Sequence, residues 1–288
     1  MQQVHYTSPQ AHLHDFYDEI MQDSHQSLIH LVSEAGQGKT SSLRSIIQYI
    51  KSQTPDIVFK IFDCSQAWYH KAPVQHRQLV TAEKVLRGQV ANLDNCVYEI
   101  GSMSKEHKRE FLGRIMELDF AERYQAKIEG RLDEYPLICF VMEEADIYFG
   151  SYSFRKTDTA SAAFQNFSSV GRNYKMRGFL ISTASQGEIA PSLRRRTRKI
   201  YGRLVSKGDL QAAKRHGVTQ DLSRLPRYSF VYNNRVQRIP DTCTNTPQDY
   251  IVQAPVHTQK PQFDNKWYMT FFGTLGVFWL FWSFLMKL

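Results

Sequence analysis

Cysteine is scarce in this sequence, and its positions do not form a pattern that could build a metal site or a disulfide framework. The four cysteines are Cys64, Cys96, Cys139 and Cys243, and none stands in a CxxC pair or in a Cys/His cluster with zinc spacing. The first sixteen residues are polar and rich in histidine, without the apolar core of a signal peptide. The pattern therefore indicates reduced, isolated thiols in a cytosolic-type compartment and argues against a small secreted domain.

Acidic residues are fewer than basic residues in this sequence. The chain has 28 Asp and Glu against 36 Lys and Arg, which gives a formal net charge of +8. A basic surface favours partners that carry phosphate, either nucleic acid or anionic lipid headgroups. The charge alone does not decide between them. The 288 residues suffice for one large domain or two small ones.

Charge is absent from one long stretch near the C-terminus, residues 267–286. Twenty helical residues span the roughly 30 Å hydrocarbon layer of a bilayer, and Lys266 and Lys287 flank the run where they could reach headgroups. A buried core helix is the alternative. We expect a P-loop domain over 1–239, a linker over 240–265 and a single-pass anchor over 266–288, with the domain on the cytoplasmic side of the membrane.

A Gly-rich turn lies between a short apolar run, residues 27–33, and a helical pattern that begins at Ser41. Strand, turn, Gly-Lys-Thr and helix are the context that a Walker A phosphate-binding loop requires. Its backbone N–H groups and the helix N-terminus would hold the phosphates of ATP. The first glycine of the motif is replaced by Ser33. The predicted nucleotide-binding residues are Glu34, Ala35, Gly36, Gln37, Gly38, Lys39, Thr40 and Ser41.

Two of these residues have assigned roles. Lys39 is predicted to contact the β- and γ-phosphates and to act in catalysis, and Thr40 is predicted to hold Mg²⁺. About 100 residues further on, the apolar run 137–142 ends in Glu143 and Glu144, as in a Walker B strand. We assign Glu143 to the Mg²⁺ shell and Glu144 to the catalytic base. The usual metal-shell residue is Asp, so the longer Glu143 would need a set-back strand or a bridging water.

A third apolar run, residues 178–186, ends in small polar residues and Gln186, which would lie beside the γ-phosphate and sense it or orient water. Strand-like and helix-like segments alternate along residues 58–216, and a hairpin is expected over 228–239. The alternation predicts an α/β fold of the P-loop NTPase type, with a mostly parallel sheet covered by helices on both faces.

The order of these blocks resembles the HerA/FtsK superfamily of DNA-pumping ATPases. The similar segments are His30-Leu31-Val32 before the loop, the acidic pair, residues 171–174 followed by the strand to Gln186, and Ile189-Ala190-Pro191 followed by 199–209. The resemblance covers roughly residues 25–220 and departs at both Walker positions. It implies a homo-hexameric ring that moves double-stranded DNA, with an arginine from the neighbouring subunit completing each ATP site.

Arg172 and Arg203 match the positions of the family's arginines, although each could equally be an ordinary surface or ion-paired residue. The basic cluster 194–199 could face DNA phosphates or be a solvated loop. By this resemblance the chain is similar to genome-packaging ATPases of viruses with an internal membrane, with capsid or portal-vertex proteins as further partners. The alternatives are a phage assembly and secretion ATPase of the zonular-occludens-toxin type, and a membrane-tethered nucleotide switch that moves no DNA.

Overall fold

The computed structural model describes residues 28–150, 158–183, 189–194, 197–232 and 234–251. The chain divides into two units, residues 1–252 and residues 253–288, and the second unit lies wholly outside the described residues. No described helix is long and apolar enough to cross a membrane. This finding contradicts the predicted single-pass anchor and the membrane location derived from it. That prediction rested on the uncharged composition of residues 267–286, which are not among those described.

The described strands form one sheet in the order β10-β3-β4-β2-β5-β6-β1-β7-β8-β9. All neighbouring strands from β10 to β7 pair in parallel. Beyond β7 the sheet continues with the hairpin of β8 and β9, in which β8 pairs antiparallel with both β7 and β9. In chain order the strands are β1 (Leu28–Val32), β2 (Val58–Asp63), β3 (His76–Leu79), β4 (Cys96–Glu99), β5 (Ile138–Met142), β6 (Met176–Ser182), β7 (Thr197–Tyr201), β8 (Ser229–Tyr232), β9 (Arg235–Arg238) and β10 (Gln248–Asp249).

Helices cover both faces of the sheet, so the predicted α/β layering is confirmed. The described helices are α1 (Lys39–Gln53), α2 (Ala82–Leu86), α3 (Lys105–Ile128), α4 (Ala145–Phe149), α5 (Thr159–Val170), α6 (Pro191–Arg194) and α7 (Lys207–Arg215). Short 3₁₀ turns span Leu132–Glu134, Gly171–Tyr174 and Leu222–Arg224.

Helix α1 forms because its apolar residues recur with helical spacing. Leu43, Ile46, Ile47 and Ile50 are all buried against one sheet face, where they meet side chains of β1, β2, β5 and β6. The helix ends just before Thr54-Pro55, since a proline disfavours helical geometry in the residue before it. The packing fixes the N-terminus of α1 against the sheet.

The opposite face is covered mainly by α3 and α5, whose aromatic and aliphatic residues pack on β2, β5 and β6. Helix α3 begins at Ser104, whose hydroxyl accepts a hydrogen bond from the His107 N–H, a regular N-cap. A buried ion pair fixes α3 to the sheet, because Lys60 Nζ on β2 lies 2.7 Å from Asp119 Oδ1 on α3.

The register aligns the ends of the parallel strands. Val32 at the end of β1 is opposite Ser182 on β6 and Tyr201 on β7, and Met142 at the end of β5 is opposite Leu180. We call the edge where these strands end the carboxyl edge and the opposite edge the amino edge. The carboxyl edge gathers the loops after β1, β2, β5 and β7, as expected for ligand sites in such sheets.

The compact unit extends beyond the predicted domain end at residue 239. Residues 240–251, predicted as part of an extended linker, lie within the first unit, and β10 pairs in parallel with β3. The Pro240 carbonyl accepts a hydrogen bond from Ser45 of α1. This segment therefore returns across the domain instead of leaving it.

Candidate functional site

The loop between β1 and α1 has the backbone of a phosphate-binding loop. Gly36 and Gly38 have φ angles of 72° and 90°, which L side chains rarely adopt. A Cβ on Gly38 would also stand 2.3 Å from the Tyr228 ring. Gly38 is the N-cap of α1, and no acidic residue stands in the first turn of that helix. The helix N-terminus therefore offers its partial positive charge to an anion.

Ser33, which replaces the first glycine of the motif, is accommodated by a glycine elsewhere. Its buried hydroxyl donates to the Arg203 carbonyl over 3.2 Å. A Cβ on Gly202 would lie 2.4 Å from Ser33 Oγ, so Gly202 provides the space that the serine occupies. The Ser33 backbone does not have a positive φ angle. The departure from the motif is thus compatible with the loop.

Lys39 and Thr40 stand where the Walker A motif requires them. Lys39 Nζ donates to the carbonyls of Ser33 and Glu34 over 2.7 and 2.9 Å, so the ammonium lies inside the loop. Thr40 Oγ1 donates to Glu143 Oε1 over 3.0 Å. This contact joins residues 103 positions apart in the chain. It brings the two predicted Mg²⁺-shell residues together.

Glu143 is a buried carboxylate with several donors. Besides Thr40, its Oε1 accepts from Trp68 Nε1 over 3.0 Å, and its Oε2 accepts from Ser65 Oγ over 2.7 Å. Burial and then the charge of Asp63 raise the pKa of Glu143, against the hydrogen bonds from Ser65, Thr40 and Trp68. Both oxygens are therefore engaged, and Glu143 holds the Thr40 hydroxyl in place.

Sequence reasoning missed the loop after β2 that surrounds Glu143. Asp63 ends β2, and its carboxylate accepts from the backbone N–H groups of Ser65, Ala67, Trp68 and Tyr69. This capping folds the loop so that the fully buried Trp68 contacts Glu143. An aspartate at a strand end, followed by Ser and Trp, is the signal that could have indicated such a loop.

Glu144 differs from its neighbour in both backbone and exposure. Its φ and ψ are 51° and 55°, a left-handed conformation that is unusual for a residue other than glycine. Its side chain is 52% exposed, and its Oε2 lies 3.7 Å from Nζ of the buried Lys108 on α3. Strain of this kind occurs at functional sites, where the surrounding structure holds it. The carboxylate is accessible to water, as a catalytic base must be. Asp146 lies in the first turn of α4.

The two candidate arginines lie at opposite edges of the sheet. Arg203 follows β7 at the carboxyl edge, and its carbonyl accepts from the Glu34 N–H over 2.9 Å. Arg172 lies in the 3₁₀ turn before β6, hence at the amino edge. β6 has seven residues, which rise roughly 23 Å. Both side chains are exposed. Arg203 is therefore next to its own phosphate loop, whereas Arg172 cannot reach it.

Some predicted site features fall outside the described residues. Gln186 is one of them, although β6 ends at Ser182 beside the phosphate loop, where the Ser33 N–H donates to the Ser182 carbonyl over 3.4 Å. Within the basic cluster, residues 195 and 196 are also not described. Ser41 Oγ lies 3.2 Å from Arg44 Nη2 in the first turn of α1. In the described part of the chain no group of three or more His, Cys, Asp or Glu could hold a metal.

No protein family profile matches the chain, and no curated protein is similar to it. Among solved structures it is similar to the genome packaging NTPase B204 from Sulfolobus turreted icosahedral virus 2, with a TM-score of 0.49 and 11% identity over 79% of this chain and 99% of that one. It is also similar to ATPases 2 and 3 of EssC from Geobacillus thermodenitrificans, with a TM-score of 0.48 and 12% identity over 78% of this chain and 40% of that one.

A third similar structure is the pCW3 conjugation coupling protein TcpA, with a TM-score of 0.46 and 13% identity over 79% of this chain and 60% of that one. All three are FtsK/HerA-type P-loop ATPases, the superfamily that the order of the sequence blocks resembles. At these identities and TM-scores the likeness says nothing about substrate or partner.

Proposed function

We propose that the chain is a Mg²⁺-dependent ATP hydrolase. The observation that carries the proposal is the 3.0 Å hydrogen bond from Thr40 to Glu143, made at the N-terminus of a helix whose preceding loop encloses Lys39. Phosphate-binding N–H groups, a lysine, a hydroxyl and a carboxylate converge there. Hydroxyl and carboxylate oxygens suit Mg²⁺, so these residues fit the metal.

Each residue has a distinct role in this reaction. Lys39 would exchange its loop carbonyls for the β- and γ-phosphate oxygens, and Thr40 would ligate Mg²⁺, which neutralises phosphate charge when bound. Glu143 would keep the Thr40 hydroxyl in place. Glu144 would accept the proton of the attacking water from its exposed position.

The work that hydrolysis drives is, in our proposal, translocation of double-stranded DNA by a ring of subunits, as genome packaging requires. Support comes from the order of sequence blocks, from the net charge of +8 and from the placement of Arg172. An arginine that cannot reach its own phosphate loop could complete the site of a neighbour. Capsid or portal-vertex proteins would then be the further partners.

The test is ATP hydrolysis by the full chain with and without double-stranded DNA. We expect DNA to increase turnover, and Lys39→Ala to abolish turnover in both conditions because it removes the cation that contacts the phosphates. Lys84→Ala is the matched control, since Lys84 lies in α2, which follows β3, and four strands separate β3 from β1 in the sheet.

The outcomes separate the two parts of the proposal. Hydrolysis that DNA leaves unchanged would retain the ATPase and reject the translocase. A parent chain that hydrolyses no ATP under either condition would reject both.

A further inference from the structure

Tyr228 has a backbone conformation that its side chain does not favour. Its φ angle is 64°, in the left-handed region that bulky residues rarely enter. Both of its backbone groups are held: its N–H donates to the Gln37 carbonyl over 3.0 Å, and its carbonyl accepts from the Ile239 N–H over 2.8 Å. The hairpin β8–β9 therefore fixes Tyr228 to the phosphate loop.

The ring of Tyr228 lies against the loop at the start of α1. Its Cδ1 and Cε1 atoms would stand 2.3 and 2.5 Å from a Cβ on Gly38, so the ring touches the glycine backbone. The guanidinium of Arg227 lies 4.7 Å from the ring centroid. Tyr228 as a whole residue is half-buried. An aromatic surface is thus rigidly positioned beside the phosphate site.

We infer that the Tyr228 ring is the stacking platform for the base of the bound nucleotide. This rests on the proposed function, since it requires phosphates at the N-terminus of α1. A nucleotide whose phosphates bind there must extend its sugar and base outward along a neighbouring surface. Aromatic rings stack on every base, because every base has a π-face. The ring therefore contributes affinity for the base and little selectivity among bases.

The competing role for the ring is purely structural, as a brace that keeps Gly38 in its conformation. The two roles differ in which part of the ligand they affect. A stacking platform acts on a ligand with a base and leaves a bare polyphosphate unaffected. A brace acts on every ligand that needs the phosphate loop.

The experiment measures the affinity of the full chain, with Mg²⁺, for two probes, a non-hydrolysable ATP analogue and inorganic tripolyphosphate. For Tyr228→Leu we expect the affinity for the ATP analogue to fall about 5- to 140-fold, the range that stacking of one base contributes. Tripolyphosphate affinity should stay within about twofold of the parent. Tyr228→Phe keeps the ring and should bind both probes as the parent does.

Tyr250→Leu is the matched control, because Tyr250 is 40% exposed and follows β10 at the far side of the sheet. An equal loss of affinity for both probes in Tyr228→Leu would assign the brace role and overturn the inference. Unchanged affinity for both probes would overturn it too. A parent chain that binds neither probe would reject the proposed function itself. That outcome is distinct from any difference between the variants and the parent.

Discussion

Glu143 and Glu144 are adjacent in the chain, yet their surroundings separate their chemistry. Glu143 is 5% exposed and accepts hydrogen bonds from Thr40, Ser65 and Trp68. Glu144 is held in a left-handed conformation with its carboxylate half exposed. A buried carboxylate that accepts from Thr40 is suited to hold that predicted metal-ligating hydroxyl in place, and an accessible carboxylate is suited to accept a proton.

This division of roles predicts different defects in the two amide variants. Glu144→Gln should bind ATP as the parent does and lose at least about 100-fold in turnover, because an amide cannot accept the proton of water. Glu143→Gln should instead raise the Mg²⁺ concentration needed for half-maximal turnover. Single-turnover hydrolysis across a Mg²⁺ titration measures both effects. Wild-type turnover in Glu144→Gln, together with lost turnover in Glu143→Gln, would contradict the assignment.

His30 provides a pH-dependent prediction at the same scale. It is fully buried on β1, and its Nε2 lies 2.5 Å from Ser182 Oγ on β6. Burial, with a further contribution from the Lys199 charge, lowers the pKa of His30 from 6.5 to about 3. Between these values the unfolded chain binds a proton that the folded chain does not. The contribution of His30 to the free energy of unfolding is therefore fully present above pH 6.5 and is lost as the pH falls towards 3.

We expect the free energy of unfolding to fall by about 1.4 kcal/mol per pH unit from this residue alone as the pH is lowered below about 6. His30→Gln cannot titrate but can still hydrogen-bond Ser182, so this part of the slope should disappear. Urea unfolding between pH 7 and 5 measures the slope while most carboxylates remain ionised. The same slope in parent and variant would show that His30 does not cause it.

At the scale of elements, the segment after β9 shows that composition can misassign a region. Its prolines, Thr and Gln predicted a linker from residue 240, but the contacts that hold it are specific. Arg44 of α1 lies 2.8 Å from Asp241 Oδ2, and Ser42 Oγ donates to the Ile239 carbonyl. Such contacts join positions nearly 200 residues apart, which no local pattern in the sequence can indicate.

The Arg44–Asp241 pair should stabilise the domain because it is largely shielded from solvent, with side chains 11% and 18% exposed. Asp241→Ala leaves a shielded guanidinium without its carboxylate and should lower the free energy of unfolding by about 2–3 kcal/mol. The control is Glu83→Ala, since the Glu83–Arg87 pair at α2 is 69% and 63% exposed and should contribute far less. Equal losses in the two variants, measured by urea unfolding, would mean that the pair does not stabilise the fold.

Across the whole molecule, β1 and β5 could be predicted because each lies in a short apolar run. β1 and β5 lie within one residue of the predicted runs 27–33 and 137–142. β3 reads His-Arg-Gln-Leu and β10 has two residues, so neither carries a hydrophobic pattern. In the site, Lys39, Thr40 and Glu143 follow from motifs, whereas Trp68 and Tyr228 are brought there only by tertiary folding.

The position of the two arginines also bears on assembly. We propose a ring in which Arg172 completes the ATP site of a neighbouring subunit, because in its own subunit it lies at the opposite edge of the sheet from the phosphate loop. Arg203 lies beside its own loop through the contact of its carbonyl with Glu34. The two arginines should therefore act in different ways, Arg172 in trans and Arg203 in cis.

Mixing experiments separate these cases. Phosphoryl transfer develops negative charge, and an arginine that stabilises this charge raises the rate of hydrolysis about 10³-fold or more. We therefore expect each of three variants to be inactive alone: Arg172→Ala, Arg203→Ala and Lys39→Ala. Mixed with Lys39→Ala subunits, Arg172→Ala subunits should regain part of the ATPase activity, because an intact loop then meets an intact Arg172 from its neighbour. Arg203→Ala subunits should regain none, since the intact loop and the intact Arg203 remain on different chains. Rescue of Arg203→Ala but not of Arg172→Ala, in assemblies shown to be mixed, would reverse the assignment, and rescue of neither would show that no arginine of the pair acts across an interface.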